Sequence, residues 1–318
     1  MKKIMTTFHF TFFALATFAP LTGCANNPNA IITVRVIDDA GKPISNVQSR
    51  IMSTFSYGTP TGLTDTNGMY AVHLDKIYDL DGTFQKHGYY KTSGEFWQAP
   101  QWGDVPPADT NFIVVLKRII EPISMKQREL IAIFPRLDEP IGYDLEIGDW
   151  IFPDGKGEIT DILLKAERQY VSANDYSVNL FAKFAGEHNG IQPFYVHRQS
   201  ANEFYRSELR TPPIAPLTGY INTYERFARQ LPTEKKSNFS YDRTIGWIFR
   251  IRTELDENGE IITANYGWFS EDFSVGPIAN GTARTSFKFY FNSDPKSRSL
   301  EPKEIADRQN KVSPFKGK

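Results

Sequence analysis

Ile32-Thr33-Val34-Arg35-Val36-Ile37-Asp38-Asp39-Ala40-Gly41-Lys42-Pro43-Ile44 decides how this chain folds. Ile32, Val34 and Val36 alternate with Thr33, Arg35 and Ile37, the period of a strand with one buried face. Asp38 to Pro43 then makes a turn, because Asp, Gly and Pro favour backbone angles that a strand does not use. Thr64-Asp65-Thr66-Asn67-Gly68 gives a second turn signal. Asn-Gly can supply the positive φ angles of a type I′ hairpin turn, and Tyr70, Val72 and Leu74 follow on one face. Phe112 to Leu116 is apolar on both faces, which predicts an interior strand closing a first domain over residues 30–118.

A junction is expected over residues 119–129. Pro122 breaks any regular element there, and the apolar Ile119, Ile120 and Ile123 around it predict packing more than a free linker. Residues 130–300 continue the β signals. Val178, Leu180, Ala182 and Phe184 alternate with Ser177, Asn179 and Lys183, and Trp247, Phe249 and Ile251 alternate with Ile248, Arg250 and Arg252. Asp256-Glu257-Asn258-Gly259 turns that strand back into Ile261-Ile262-Thr263-Ala264. Phe287, Phe289 and Phe291 form one face opposite Ser286, Lys288 and Tyr290. The expected fold class is all-β, an N-terminal sandwich followed by a second sandwich or jelly-roll-like domain. Two segments fit two patterns. Ile159, Ile162, Leu163 and Ala166 have helical spacing while Ile162, Leu164 and Ala166 have strand spacing, and Thr223 to Leu231 fits a short helix. Residues 301–318, with Lys303, Arg308, Lys311, Lys316 and Lys318 among few apolar groups, predict a disordered tail.

The first 23 residues read as a leader. Lys2 and Lys3 precede an apolar segment from Ile4 to Leu21 that Thr6, Thr7, His9, Thr11 and Thr17 interrupt, too short and broken for a stable membrane span. Leu21-Thr22-Gly23-Cys24 fits a bacterial lipobox, and Cys24 is the one cysteine in 318 residues. Its thiol can carry a thioether-linked lipid, and acyl chains such as palmitate anchor a chain through about 0.8 kcal/mol per buried methylene. Residues 24–29 would then be a lipidated polar tether. Ala25, where an Asp typically signals inner-membrane retention, resembles the default outer-membrane case. The expected address is the cell envelope, with the membrane as one partner through the lipid.

Val36-x-Asp38-x-x-Gly41-Lys42-Pro43-Ile44-x-x-Val47, then Gly62-x-Thr64-Asp65-x-x-Gly68-x-Tyr70, then Lys86-x-Gly88-Tyr89 resembles the carboxypeptidase regulatory-like family. That resemblance spans about 90 residues and implies a transthyretin-like β-sandwich with an accessory or adhesive role and no catalytic residues. Residues 91–111 depart from it, being longer and more aromatic than the usual final hairpin. Tyr143-Asp144-Leu145-x-x-Gly148-Asp149-Trp150-x-x-Pro153-x-Gly155-Lys156-Gly157, with Phe249-Arg250-x-Arg252-Thr253 and Tyr290-Phe291-Asn292, resembles a module that follows such sandwiches in uncharacterised bacterial envelope proteins. It implies no activity. Its Asp and Gly residues read as tight turns with side-chain-to-backbone hydrogen bonds.

Composition removes several classes of function. Taking away residues 1–23 removes two lysines and no acid, so the formal charge moves from −1 to −3. That near-balance argues against nucleic acid and against a polybasic membrane surface. Aromatic residues make up 14%, mostly Phe and Tyr, which favours strands. Gly155-Lys156 lacks the upstream glycine spacing of a phosphate loop, and Gly157 replaces its Ser/Thr. No Gly-x-Ser-x-Gly elbow occurs. His73, His87, His188 and His197 form no metal-binding pair, and no cofactor or metal is expected. Asp75, Asp79 and Asp81 before Gly82 do not follow the EF-hand order and read as turn acids.

Tyr89, Tyr90, Phe96, Trp97 and Trp102 are the candidate binding surface. Loop-borne rings of this kind either stack on sugars and anchor a protein partner, or pack beneath the loop or against the second domain. The expected role is a lipid-anchored, non-enzymatic envelope protein that contacts a protein or a glycan. The alternatives are an enzyme acting on envelope polysaccharide through a carboxylate pair in the second domain, and an accessory subunit of a secretion or surface-attachment complex.

Overall fold

The computed structural model describes residues 30–53, 58–74, 79–98, 111–195, 203–204, 207–278 and 281–310. The first module contains β1 (Ala30–Ile37), β2 (Gln48–Met52), β3 (Thr61–Leu63), β4 (Met69–Leu74), β5 (Asp79–Gln85), β6 (Thr92–Gln98) and β7 (Asn111–Val115). The second contains β8 (Met125–Ile133), β9 (Ile141–Asp144), β10 (Asp149–Trp150), β11 (Ile162–Ser172), β12 (Asp175–Phe184) and β13 (Gly190–Tyr195). It continues with β14 (Glu203–Phe204), β15 (Thr223–Gln230), β16 (Asn238–Phe239), β17 (Ile245–Leu255), β18 (Ile261–Phe269), β19 (Ser274–Pro277) and β20 (Ala283–Asn292). One helix, α1 (Lys303–Asn310), ends the described chain. The fold is all-β, with two sandwich cores.

In the first module β1 lies between β4, antiparallel, and β7, parallel, while β3-β2-β5-β6 forms the opposing sheet. Alternation decides the packing: Ile32, Val34 and Val36 turn inward with Val72, Leu74, Phe112 and Val114, against Ile51, Leu80 and Phe84. The turn at residues 65–69 differs from the type I′ expectation. The Asp65 carboxylate accepts the N–H groups of Asn67 and Met69 at 2.9 and 2.8 Å, and the positive φ falls on Gly68, at 75°. The carboxylate cap makes this a longer turn closed by one left-handed residue. A Cβ on Gly68 would also come within 2.3 Å of the Val36 carbonyl. Asp38–Gly41 and Asp256–Gly259 repeat the device, each Asp capping two N–H groups before a left-handed glycine.

The second module packs the sheet β10-β9-β11-β12-β15-β16 against β13-β17-β18-β20, with β19 and β8 both also paired to β20. Ile162, Leu164, Val178, Leu180 and Phe184 from the first sheet meet Phe249, Phe269, Phe287, Phe289 and Phe291 from the second. The rings tile edge to face and tilted, with Phe249–Phe269 centroids 5.1 Å apart and Phe269–Phe287 5.6 Å apart at 86°. Gly267 makes room for the Phe249 ring of the neighbouring strand in the same sheet, since a Cβ there would lie 2.2 Å from it. Residues 223–230, read as a possible helix, are strand β15: Tyr224 and Ala228 are buried while Thr223, Glu225 and Arg229 are exposed. The 162–166 ambiguity also resolves as strand, β11.

Two segments cover the outer face of the β13-β17-β18-β20 sheet. Residues 213–221 and 295–301 bond to each other, Leu300 N–H to Pro213 at 2.8 Å and Ala215 N–H to Arg298 at 2.8 Å. Ala215 and Leu300 pack on Ile248, Tyr266 and Trp268, and Trp268 stacks on Tyr290 at 4.2 Å. That sheet is therefore buried on both faces, and the open broad face belongs to β11-β12-β15.

Residues 301–310 are ordered structure, where the sequence predicted a disordered tail. The reason is burial at a distance: Ile305 and Ala306 pack on Tyr90 and Leu209 between the modules. The Glu301 carboxylate, 0% exposed, accepts the N–H groups of Ile120 at 3.1 Å and Glu121 at 2.5 Å. The Ile123 N–H donates to the Glu301 carbonyl and the Lys303 N–H to the Ile123 carbonyl, and Gln309 accepts the Lys91 N–H at 2.9 Å. The crossing is reciprocal. Strand β14 adds to β7 in parallel, and Lys117 donates to the Arg210 and Thr211 carbonyls at 3.0 and 2.7 Å. β8 also begins at Met125, inside the span expected as junction. Replacing Glu301 by Ala removes the acceptor that ties two N–H groups of the junction, bonds that are part-buried, so urea unfolding is expected to show a loss of about 1–3 kcal/mol. Trypsin should then cut faster after Lys117 or Arg118; an unchanged cutting rate would mean that Glu301 does not hold the junction.

Candidate functional site

The open face is built by strand parity. Ile162, Leu164 and Ala166 point inward, so Leu163, Lys165 and Glu167 point out; on β12 the outward set is Ser177, Asn179, Phe181 and Lys183. On β15 it is Thr223, Glu225, Phe227 and Arg229. Register places them in cross-strand rows: Leu163-Lys183-Thr223, Lys165-Phe181-Glu225 and Glu167-Asn179-Phe227. Leu163, Lys165, Phe181, Lys183, Thr223 and Glu225, with Pro140, line a shallow cup of about 180 Å³. The Phe181 ring is half-buried, with the Lys165 ammonium 4.8 Å from its centroid and held by Glu167 at 2.5 Å. A ring on a sheet with cations and a carboxylate around it can contact the C–H face of a ligand and hydrogen-bond its rim.

Behind this face, Asp272 ties the two sheets together. Tyr224 Oη and Trp247 Nε1 donate to its Oδ1 at 2.6 and 3.0 Å, and Arg226 Nε donates to its Oδ2 at 2.7 Å. The Phe273 and Asp242 N–H groups complete the set. Asp272 is 1% exposed and both oxygens are occupied, so it positions Tyr224 and Arg226 and leaves no lone pair for acid–base work.

No protein-family model matches the chain, and comparison with curated proteins gives no match. Among solved structures, the chain is similar to a protein from Bacteroides uniformis named as a candidate carbohydrate-binding protein. The identity is 10%, over 83% of this chain and 98% of that one, with a TM-score of 0.21. At that level the ligand has to be argued from this chain's own geometry.

The sequence-level surface does not assemble as one patch. Tyr90 is fully buried at the module junction, so it is removed from the candidate binding set. Tyr89 is half-buried against the first core, with the Arg118 guanidinium 5.6 Å and the Lys86 ammonium 6.0 Å from its ring. Phe96 and Trp97 lie on β6 with side chains outside the described residues; Trp102 and the lipobox residues Leu21, Thr22, Gly23 and Cys24 lie outside them altogether. Asp79 and Asp81 sit on strand β5 instead of in a turn, and Asp75 is outside the described residues. Among the described residues, no group of three or more His, Cys, Asp or Glu is placed to hold a metal ion. Sequence reasoning missed Phe181, although it carries a signal: an aromatic on the polar parity of β12.

The motif around Asp144 is a structural hub. Its carboxylate accepts N–H groups from Glu146, Ile147, Glu158 and Ile159 at 2.9–3.1 Å, the side-chain-to-backbone pattern expected of it. Arg252 joins Asp144 at 3.1 Å, Glu146 at 2.6 Å and Asp161 at 2.9 Å. A register shift after Ile251 and a φ of +52° at Arg252 turn this side chain away from the Arg250 face and toward the acids. Burial pushes the Asp161 carboxyl up, despite its bonds to Arg252. Burial also pushes Asp144 up, but its backbone donors and Arg252 outweigh it and hold the group low; Lys126 and Arg252 hold Glu146 low.

Removing the cation from two nearly inaccessible carboxylates should be severe. Arg252→Met is expected to lose about 3–5 kcal/mol at pH 7, read by thermal or urea unfolding. In the native protein, the stability from Asp144 and Glu146 is present above their unfolded values and lost as pH falls through the lower folded ones. Asp161 has the opposite sign, costing stability until acid protonates it. The Arg252→Met deficit should therefore shrink between pH 7 and about pH 4, as protonation relieves the repulsion. A pH-independent deficit would count against the cluster.

Proposed function

We propose that this is a lipid-anchored envelope protein whose second sandwich contacts glycan through the open face of β11, β12 and β15. The observation that carries this reading is Phe181, set on a polar register with Lys165 over its ring and with Lys183 and Glu225 beside it. The ring is half-buried and framed by charged side chains, so it offers a small apolar surface inside a polar rim. Sugars offer the matching chemistry, a C–H face for the ring and hydroxyls for the charged rim. The acid hubs support a binding role more than a hydrolytic one, because the oxygens of Asp144, Asp161 and Asp272 are taken by arginines, backbone and ring donors. The carboxypeptidase regulatory-like resemblance of the first module fits an accessory part of such a protein. The lipobox supports attachment through Cys24 and an outer-membrane address.

A glycan array followed by calorimetry tests the surface. Phe181→Ala is expected to weaken the glycan found by about tenfold, roughly 1.4 kcal/mol, with the circular dichroism spectrum retained. No binding across envelope polysaccharides, or binding indifferent to Phe181, would remove the reading. The anchor is tested separately. Labelled palmitate should enter the wild-type product and be absent from Cys24→Ser, which should move to the soluble fraction; a wild-type protein without label would refute the anchor.

A further inference from the structure

We propose that β8 is the pairing edge of a homodimer, where a second copy of this chain lays its own β8 antiparallel to the first. This inference rests on neither the glycan reading nor the lipid anchor.

Register decides which backbone groups are free. β20 carries β18 and β19 on one side, through residues 289–291 and 283–286, and β8 on the other, through residues 284–292. The Phe134 N–H bonds the Ala283 carbonyl at 3.0 Å, so the even-numbered residues of β8 bond β20 and the odd-numbered ones aim N–H and C=O away from it. The Lys288 carbonyl, opposite Glu129, is correspondingly turned to Ser270 on the far side at 2.8 Å. Gln127, Glu129, Ile131 and Ile133 therefore present a row of backbone donors and acceptors, and none of these groups bonds another described residue. Ile123, of the same parity, is covered: its N–H meets the Glu301 carbonyl and its carbonyl the Lys303 N–H. That cover stops where the chain turns into α1.

The edge lacks the devices that blunt the other edges of this module. β10 and β16 have two residues each, and β13 contains Pro193 and is bridged at Ile191 by Ile221. β8 runs nine residues in unbroken register, and Ile131 and Ile133 are 62% and 51% exposed. The Glu129 carboxylate is drawn to Lys288 at 3.5 Å within its own sheet. A long, regular, partly apolar edge is a template for one more strand.

The edge is complementary to itself in one register. With a two-fold axis at Leu130, Gln127 faces Ile133 of the second copy and Glu129 faces Ile131, so all four outward residues of each copy find a partner. Moving the axis to Glu129 sets two carboxylates directly opposite each other. Moving it to Ile131 sets Gln127 against Pro135, which has no N–H to give. The fit of the strand to its own copy, with like charges apart, is what selects a second copy as the occupant.

The full chain is tested in detergent by sedimentation equilibrium over a dilution series, with amide hydrogen exchange on the same samples. The expected result is a concentration-dependent dimer in which the Gln127, Glu129, Ile131 and Ile133 amides slow on association, while those of Arg128 and Ala132 are slow in both forms. Ile131→Pro deletes one outward donor and leaves the β8–β20 bonds in place, so it should weaken association about tenfold or more with the circular dichroism spectrum retained. Register is read with cysteines in a Cys24→Ser background: Glu129→Cys mixed with Ile131→Cys should give unlike disulfides well in excess of like ones. That measurement decides the point if Ile131→Pro does not fold. A chain that is monomeric at every concentration would overturn the dimer and leave the edge to a strand of a different protein. A dimer that Ile131→Pro does not weaken, or in which like cysteines pair as readily as unlike ones, would overturn this edge as the joint.

Discussion

The Glu301 carboxylate is the contact on which the joining of the two sandwiches depends. It is a charge taken fully out of water, held by the Ile120 and Glu121 N–H groups at the point where the chain leaves one module for the other. Burying a carboxylate is unfavourable by several kcal/mol unless donors surround it. Here the donors come from the junction and the acceptor from a segment about 180 residues later, so satisfying the carboxylate requires residue 301 to return to the junction. The buried Ile305 and Ala306 of α1 follow from that placement, packed with Tyr90 and Leu209 in one apolar cluster.

Arg252 shows the same economy inside the second module. Three acids converge on one cation, and the conformation that brings the cation there is a left-handed backbone at a bulge. A non-glycine residue in that region is strained by about 1–3 kcal/mol, and the ion cluster must exceed this for the bulge to persist. Neutralising the acids from a straight strand would have left Arg252 on the outer face, where Arg250 already bonds the His188 and Leu217 carbonyls. The bulge separates two arginines that a regular strand would have placed side by side.

The strands and their inward faces were legible in the chain because alternation is a local property. Ile32, Val34 and Val36 needed only their neighbours to be read, as did Phe287, Phe289 and Phe291. The Asp-x-x-Gly turns were legible as turns, but not their type, since the Asp65 cap moves the positive φ from Asn67 to Gly68. What stayed hidden depends on partners far along the chain. α1 looked like a tail because its two apolar residues meet Tyr90 and Leu209 only after folding. Thr223 to Leu231 looked helical because Arg226 and Phe227 break the alternation, and tertiary bonds to Asp272 and Ser240 settle it as strand. Tyr90 was expected at a surface and is buried, while Phe181 was not singled out, for one reason: exposure belongs to the assembled sheets, and aromatic content alone does not carry it.

One sheet covered on both sides and one left open gives the second module a direction. Residues 213–221 and 295–301 bury Tyr266 and Trp268 of the covered sheet beneath backbone that is itself hydrogen-bonded. The open sheet keeps a smaller ring, Phe181, among charged side chains. On the first module the exposed row instead centres on Arg35 between aliphatic neighbours. The two faces thus differ in kind, one setting a half-buried ring among charged side chains and the other an exposed arginine between Met69 and Ile113.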